Sequence, residues 1–143
     1  MDDYQVIVKH HESHYSGEVH THDYAHLAFI HQGCQILSTD QHSLLSMPGS
    51  LIYIPAGVSH RADFLKQSHV SLLRLPQAAT PNITKICILD VSPIVAQLFS
   101  VWENGGPEQK LVTHYVHVLV DQCILCKPTN NPLIAKGGMD RRL

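Results

Sequence analysis

Basic charge is the first thing this sequence lacks. Its 10 Lys and Arg are outweighed by 12 Asp and Glu, for a formal net charge of −2 over 143 residues. A surface that grips nucleic acid needs a cationic excess to displace counterions from the phosphates. Any contact with DNA would therefore fall to residues outside this chain. Long apolar runs are missing too. The longest, such as 51–55 and 116–120, fall far short of the roughly 20 residues that cross a bilayer. The opening MDDYQVIVKH is acidic and has no apolar core, so no secretory signal is visible. Cys34, Cys87, Cys123 and Cys126 show no spacing that suggests a disulfide framework, and a cytoplasmic protein with reduced thiols is expected. No repeat or low-complexity tract is evident. At 44% hydrophobic and 15% charged residues, the composition is that of an ordinary globular domain, long enough to bury a core unaided.

Histidine, by contrast, is abundant. The chain has 12, more than its lysines and arginines together. Imidazole is the commonest protein ligand for transition metals, so the placement of these residues matters.

Six short apolar or β-branched runs occupy the first ninety residues: Gln5–His10, His26–His31, Gln35–Thr39, Ser50–Ile54, His69–Leu75 and Lys85–Leu89. Turn signals separate them, among them Gln32-Gly33, Pro48-Gly49, Pro55-Ala56-Gly57 and Thr80-Pro81-Asn82. Short strands so spaced predict a mainly β sandwich or barrel over residues 1–90. Beyond Asp90 the apolar period becomes helical. Ser92-Pro93 provides an N-cap and a proline at the first helical position. Ile94, Val95, Leu98, Phe99, Val101 and Trp102 then recur on one side until Asn104-Gly105-Gly106. Pro107 is expected to open a second helix running to about Cys126, with Leu111, Val112, Tyr115, Val116, Val118, Leu119, Cys123 and Ile124 as its apolar stripe. The sequence thus predicts an antiparallel pair of helices over 91–127. The second stripe is wider than one sheet contact requires, which predicts a homodimer through this hairpin. Residues 128–143 read as a linker.

His20 and His22 are two apart, so on an extended segment both side chains share a face, and His26 keeps the same parity. His60 follows the Pro55-Ala56-Gly57 corner. Three imidazoles on one face and a fourth from another strand suit a divalent transition metal such as Zn, Ni or Fe. Tyr24, Tyr53 and Phe64 flank these histidines in sequence and are candidate ligand contacts. Other groups signal less. His10, His11 and His14 lie near the N-terminus, where a solvated edge is expected. His114 and His117 are expected on the surface. Cys123-x2-Cys126 is a lone CxxC that reads as two helix-packing thiols.

The pattern His20-x-His22-x3-His26-x6-Gly33 resembles the first cupin motif, and Gly49-x5-Pro55-x-Gly57-x2-His60 resembles the second. Together they imply a double-stranded β-helix, the jelly-roll barrel of cupins. Two positions depart from the pattern: His26 replaces the acidic ligand of the first motif, and Phe64 stands where an asparagine often ends the second. The opening glycine is also nearer the histidine pair. A four-histidine site carries no ligand charge and should hold a divalent ion less tightly than one containing a carboxylate.

The wider sequence, from H-T-H-D-Y-A-H-L through I-P-A-G-V-S-H-R and C-I-L-D-V-S-P-I-V-A-Q-L, resembles the N-terminal domain of AraC-family bacterial transcription regulators. N-P-L-I-A-K-G-G-M-D-R-R-L resembles the linker before their paired helix-turn-helix module. The resemblance implies a domain that senses a small-molecule effector and dimerises, cut off before the DNA-binding half either by excision or by natural truncation. In that family glutamine often stands at the position of His26, so the likeness alone does not imply a metal. The rival reading is a metal-dependent cupin enzyme, a dioxygenase or isomerase. Against it, neither Asp23 nor Glu18 occupies a motif position that marks a general acid or base. The chain is therefore read as a non-enzymatic sensor.

Overall fold

Alternation along the strands builds two apolar layers. In the computed structural model, which describes residues 5–76, 80–130 and 132–136, β1 (Gln5–His11), β3 (Ala25–Gln32), β6 (Leu51–Ile54), β8 (Ser68–Leu75) and β9 (Cys87–Leu89) form one five-stranded sheet in the order β1-β8-β3-β6-β9. A second sheet has the order β10-β5-β4-β7-β2, from β2 (Tyr15–Ser16), β4 (Gln35–Ser38), β5 (His42–Ser46), β7 (Arg61–Phe64) and β10 (Leu133–Lys136). Every pairing is antiparallel. Ala28, Ile30, Ile52, Ile54 and Val70 of the first sheet pack with Leu37, Leu44 and Phe64 of the second, which is the filling of a two-sheet sandwich.

The opposite face of the first sheet is equally apolar, because Leu27, Phe29, Leu51, Tyr53, Leu73 and Leu75 occupy the alternate positions. Helix α1 (Pro93–Ser100) and helix α2 (Val112–Ile124) cover it. The Ser92 side chain accepts from Val95 N–H and Pro93 sits in the first turn, as the sequence predicts. A 3-10 turn at Val101–Asn104 continues α1 until Gly105, at φ 105°, ends it. Phe99 stacks on Phe29 at 4.6 Å between centroids, and Val116, Leu119, Val120 and Cys123 of α2 are fully buried in the same cluster.

The six expected strands form within a residue or two of their bounds, and four others (β2, β5, β7 and β10) join them. Two differences are larger. Helix α2 starts at Val112 instead of Pro107, preceded by a 3-10 turn over Gln109–Leu111. Residues 133–136, expected in the linker, pair with β5 in register Leu133↔Leu45 to Lys136↔His42. The expected terminal stretch Asp140–Leu143 lies outside the described residues.

Gly33 shows why the tight turn between β3 and β4 uses glycine. Its φ is 85°, and a Cβ there would stand 2.6 Å from Ser68 Cα. That closeness lets Ser68 Oγ accept from Cys34 N–H at 3.2 Å and donate to Leu65 O at 2.6 Å, tying the two sheets at this edge.

Candidate functional site

The histidines meet because two loops are laced together by backbone bonds. His20 N–H donates to His60 O at 2.9 Å, and His60 N–H donates to His20 O at 3.0 Å. Gly57 N–H then donates to His22 O at 2.8 Å, so the Pro55-Ala56-Gly57 corner grips the H-x-H segment. The outcome is that one donor atom from each of His20, His22 and His60 lies within 4.8 Å of the others.

Ring orientation favours metal ligation. His20 Nδ1 lies 2.7 Å from Glu18 O, and His60 Nδ1 lies 2.8 Å from Val58 O. A carbonyl can only accept, so each Nδ1 carries a proton, and in the neutral ring the lone pair is on Nε2. A backbone carbonyl accepting at Nδ1 fixes the tautomer that ligates metal through Nε2. Lowered pKa values at two of the three also favour the free bases. His22 is held below the usual histidine range by burial and by His20 and His60; His60 is lowered chiefly by burial, partly offset by its bond to Val58. These residues fit a divalent transition metal bound by three neutral imidazoles.

His26 does not join that set. The donor atoms grouped within 4.8 Å do not include its own, although its ring centroid is 5.0 Å from that of His22 and 5.9 Å from that of His60. Pairing with Arg74 and Ile54 fixes it near the start of β3, while His20, His22 and His60 lie outside the long strands. It is 9% exposed, and its Nδ1 is buried without a partner. Burial, then the neighbouring histidines and Lys9, push its pKa down to about 3. It is a neutral polar group on the wall of the site.

These four histidines border a cavity of about 460 Å³ between the sheets. Tyr24 and Phe64 also line it, with the Tyr24 ring stacked on His22 at 4.8 Å. Tyr53 does not. Between Ile52 and Ile54 it has the opposite parity, so it points into the helix-covered core and borders an adjoining cavity instead. Reading by sequence position missed Lys9, Gln35 and Arg74, which line the histidine cavity from distant strands. For Arg74 a signal existed: it shares parity with inward-facing Leu72, while Leu73 and Leu75 face the helices.

The lesser candidates disperse. His10 stacks on His69 at 3.9 Å, whereas His11 turns to the other face and stacks on Phe64 at 4.6 Å; His14 reaches Ser16. His114 and His117 are exposed. Cys123 is buried among the helix contacts, and Cys126 is half-buried beside it with Sγ 3.6 Å from Gln122 O. Burial raises the pKa of both thiols. Among the described residues no helix is long and apolar enough to cross a membrane.

Known proteins share the fold. The chain is similar to the AraC-like transcriptional activator CuxR, at TM-score 0.61 and 14% identity over 97% of this chain and 57% of that one. It is similar to ToxT K231A from Vibrio cholerae, at TM-score 0.62 and 9% identity over 90% of this chain and 60% of that one. Thus it spans somewhat over half the length of these two proteins. A cupin-2 domain protein from Shewanella frigidimarina overlays with TM-score 0.44 and 22% identity, over 54% of this chain and 74% of that one. No curated protein sequence matches. Residues 5–84, which contain the whole histidine cavity, match the AraC-like ligand binding domain, and the chain belongs to that family.

Proposed function

We propose that this chain is the effector-sensing domain of an AraC-type transcription regulator, binding a small molecule in the cavity between its sheets. The observation that carries the reading is the cavity of about 460 Å³, lined in part by converging histidines. That size suits a small organic ligand. His20, His22 and His60 would hold a divalent transition metal, with His26 as a neutral neighbour; such an ion would supply a fixed positive charge and open coordination positions. The cavity wall presents no carboxylate among the described residues, and the preference for sensing over turnover rests on the family match.

Contact with DNA would belong to a helix-turn-helix module beyond this chain. Dimerisation would use the solvent face of the helices, where Ile94, Leu111, Val118 and Leu125 are exposed. A ligand switches such a dimer only by preferring one arrangement over another; equal affinity for both shifts nothing.

Elemental analysis of the purified chain beside a His20→Ala/His60→Ala variant tests the metal component. About one equivalent of Zn, Ni or Fe, absent from the variant, is expected. If no metal binds after incubation with each ion, the histidines serve an organic effector alone. Measurable turnover of a cupin-type substrate, with dioxygen or without, would replace sensing by catalysis.

A further inference from the structure

The charge inventory of the cavity is one-sided. Lys9 and Arg74 contribute permanent cations, histidines and the phenols of Tyr15 and Tyr24 supply the other titratable groups, and no Asp or Glu lines the wall among the described residues. Arg74 belongs to β8, flanked in register by Gln5 of β1 and His26 of β3. Its guanidinium lies over the Tyr24 ring, 4.1 Å from the centroid, and no ion pair joins it to a carboxylate among the described residues. Asp23, the acidic residue nearest the site in sequence, borders an adjoining cavity that Arg74 and Tyr24 also line, but it makes no ion pair with Arg74 among the described residues. Stacking on an aromatic face leaves the in-plane N–H fork of an arginine available, and that fork matches a carboxylate.

An independent observation points to the same space. His11 Nε2, His26 Nδ1 and Gln35 Oε1 are buried without hydrogen-bond partners, and all three residues line this cavity. Buried polar atoms are nearly always satisfied, so three unsatisfied atoms around one cavity mark where a polar ligand belongs. With the proton on Nδ1, His26 offers a donor beside Arg74. Leu37, Ile54, Phe64 and Leu72 provide apolar wall for the rest of a small molecule.

We propose that the cavity binds an organic anion, a small carboxylic acid in its ionised form, with its carboxylate anchored by Arg74. The proposal rests on the sensing reading and names the ligand class for that site. Lys9 adds a second cation at the cavity wall, and His26 a neutral donor.

Calorimetric titration with three matched pairs tests this: hexanoate with hexanamide, benzoate with benzamide, and galacturonate with galactose. The full chain is titrated as purified and again after chelation, which separates coordination to a bound metal from the arginine contact. At least one acid should bind at least tenfold more tightly than its neutral partner in both states. Arg74→Gln should raise the Kd of that acid about ten- to a hundredfold, as expected for one charge-assisted contact, and abolish the preference. Arg74→Lys, which keeps the charge, should retain part of it and carries the test should Arg74→Gln fail to fold. Equal binding of acid and neutral partner, undiminished acid binding in Arg74→Gln, or no binding by any of the acids overturns the proposal. Binding of galactose or an amide alone would overturn the anion inference while leaving a ligand-sensing cavity. Turnover of a bound compound would instead refute the sensing role whichever charge is preferred.

Discussion

Phe99→Ala asks whether the helices are part of the same folding unit as the sandwich. Phe99 is fully buried and stacks on Phe29 with rings 5° from parallel, within a cluster that joins β3, β6 and β8 to both helices. Truncating a buried phenylalanine costs about 3–5 kcal/mol, and loss of the aromatic pair places this site toward the upper half of that range. Against a total stability of about 5–15 kcal/mol, a loss near 4 kcal/mol is severe. With a urea dependence of about 2 kcal/mol per molar, the unfolding midpoint should fall by roughly 2 M. Urea unfolding is followed by far-UV circular dichroism for the sheets and by fluorescence of Trp102, the chain's single tryptophan, which is buried in the same cluster. Both signals should move together. A fluorescence transition that shifts while the circular dichroism transition stays put would refute the reasoning and make residues 91–127 a separately folding attachment.

Two further predictions are independent of the ligand. Val118→Asp, on the exposed face of α2, should leave unfolding nearly unchanged and shift sedimentation toward the monomer, whereas Leu119→Asp, with Leu119 0% exposed, should destabilise the fold itself. A monomeric wild type at tens of micromolar would remove the dimer proposal. In chelator, stability should fall as pH drops below 6.5: His26 stays neutral in the fold down to about pH 3, while the unfolded chain takes up its proton near pH 6.5. This amounts to about 1.4 kcal/mol per pH unit, or about 2 kcal/mol between pH 6.5 and 5, with His31, His60 and His69 adding in the same direction because burial lowers each. His26→Gln should flatten that dependence, and an equally steep urea-midpoint profile in the variant would contradict it.

The regions that were legible in the sequence are those whose signal is local. Ser92-Pro93 carries its own capping chemistry, and β3 and β8 are long enough for strand propensity to dominate. Strand β7, R-A-D-F, has two charged residues and forms because Arg61–Phe64 is held between β4 and β2; β10 follows Pro132 and forms because β5 offers an open edge. Neither cause is visible within either segment. Among the site residues, His20, His22 and His60 follow from motif spacing because the backbone laces their loops together. His26 shares their parity but lies inside β3, paired with Ile54 and Arg74, and is not among the grouped donor atoms.

Strand parity also links the site to the helices. On β8, Leu72 and Arg74 line the cavity while Leu73 and Leu75 pack toward the helices; on β3, His26 faces inward while Leu27 and Phe29 face outward. The sheet is only one residue thick, so a strand that rolls to receive a ligand at Arg74 must carry Leu73 and Leu75 with it. Close packing leaves no slack to absorb such a roll, because Phe29 meets Phe99 at 4.6 Å and Leu119 and Val120 are fully buried. The proposed dimer surface lies on the far side of those helices. Occupancy of the cavity and the setting of that surface would then be coupled through two strands with opposite duties on their two faces, by rigid packing and with no hinge required.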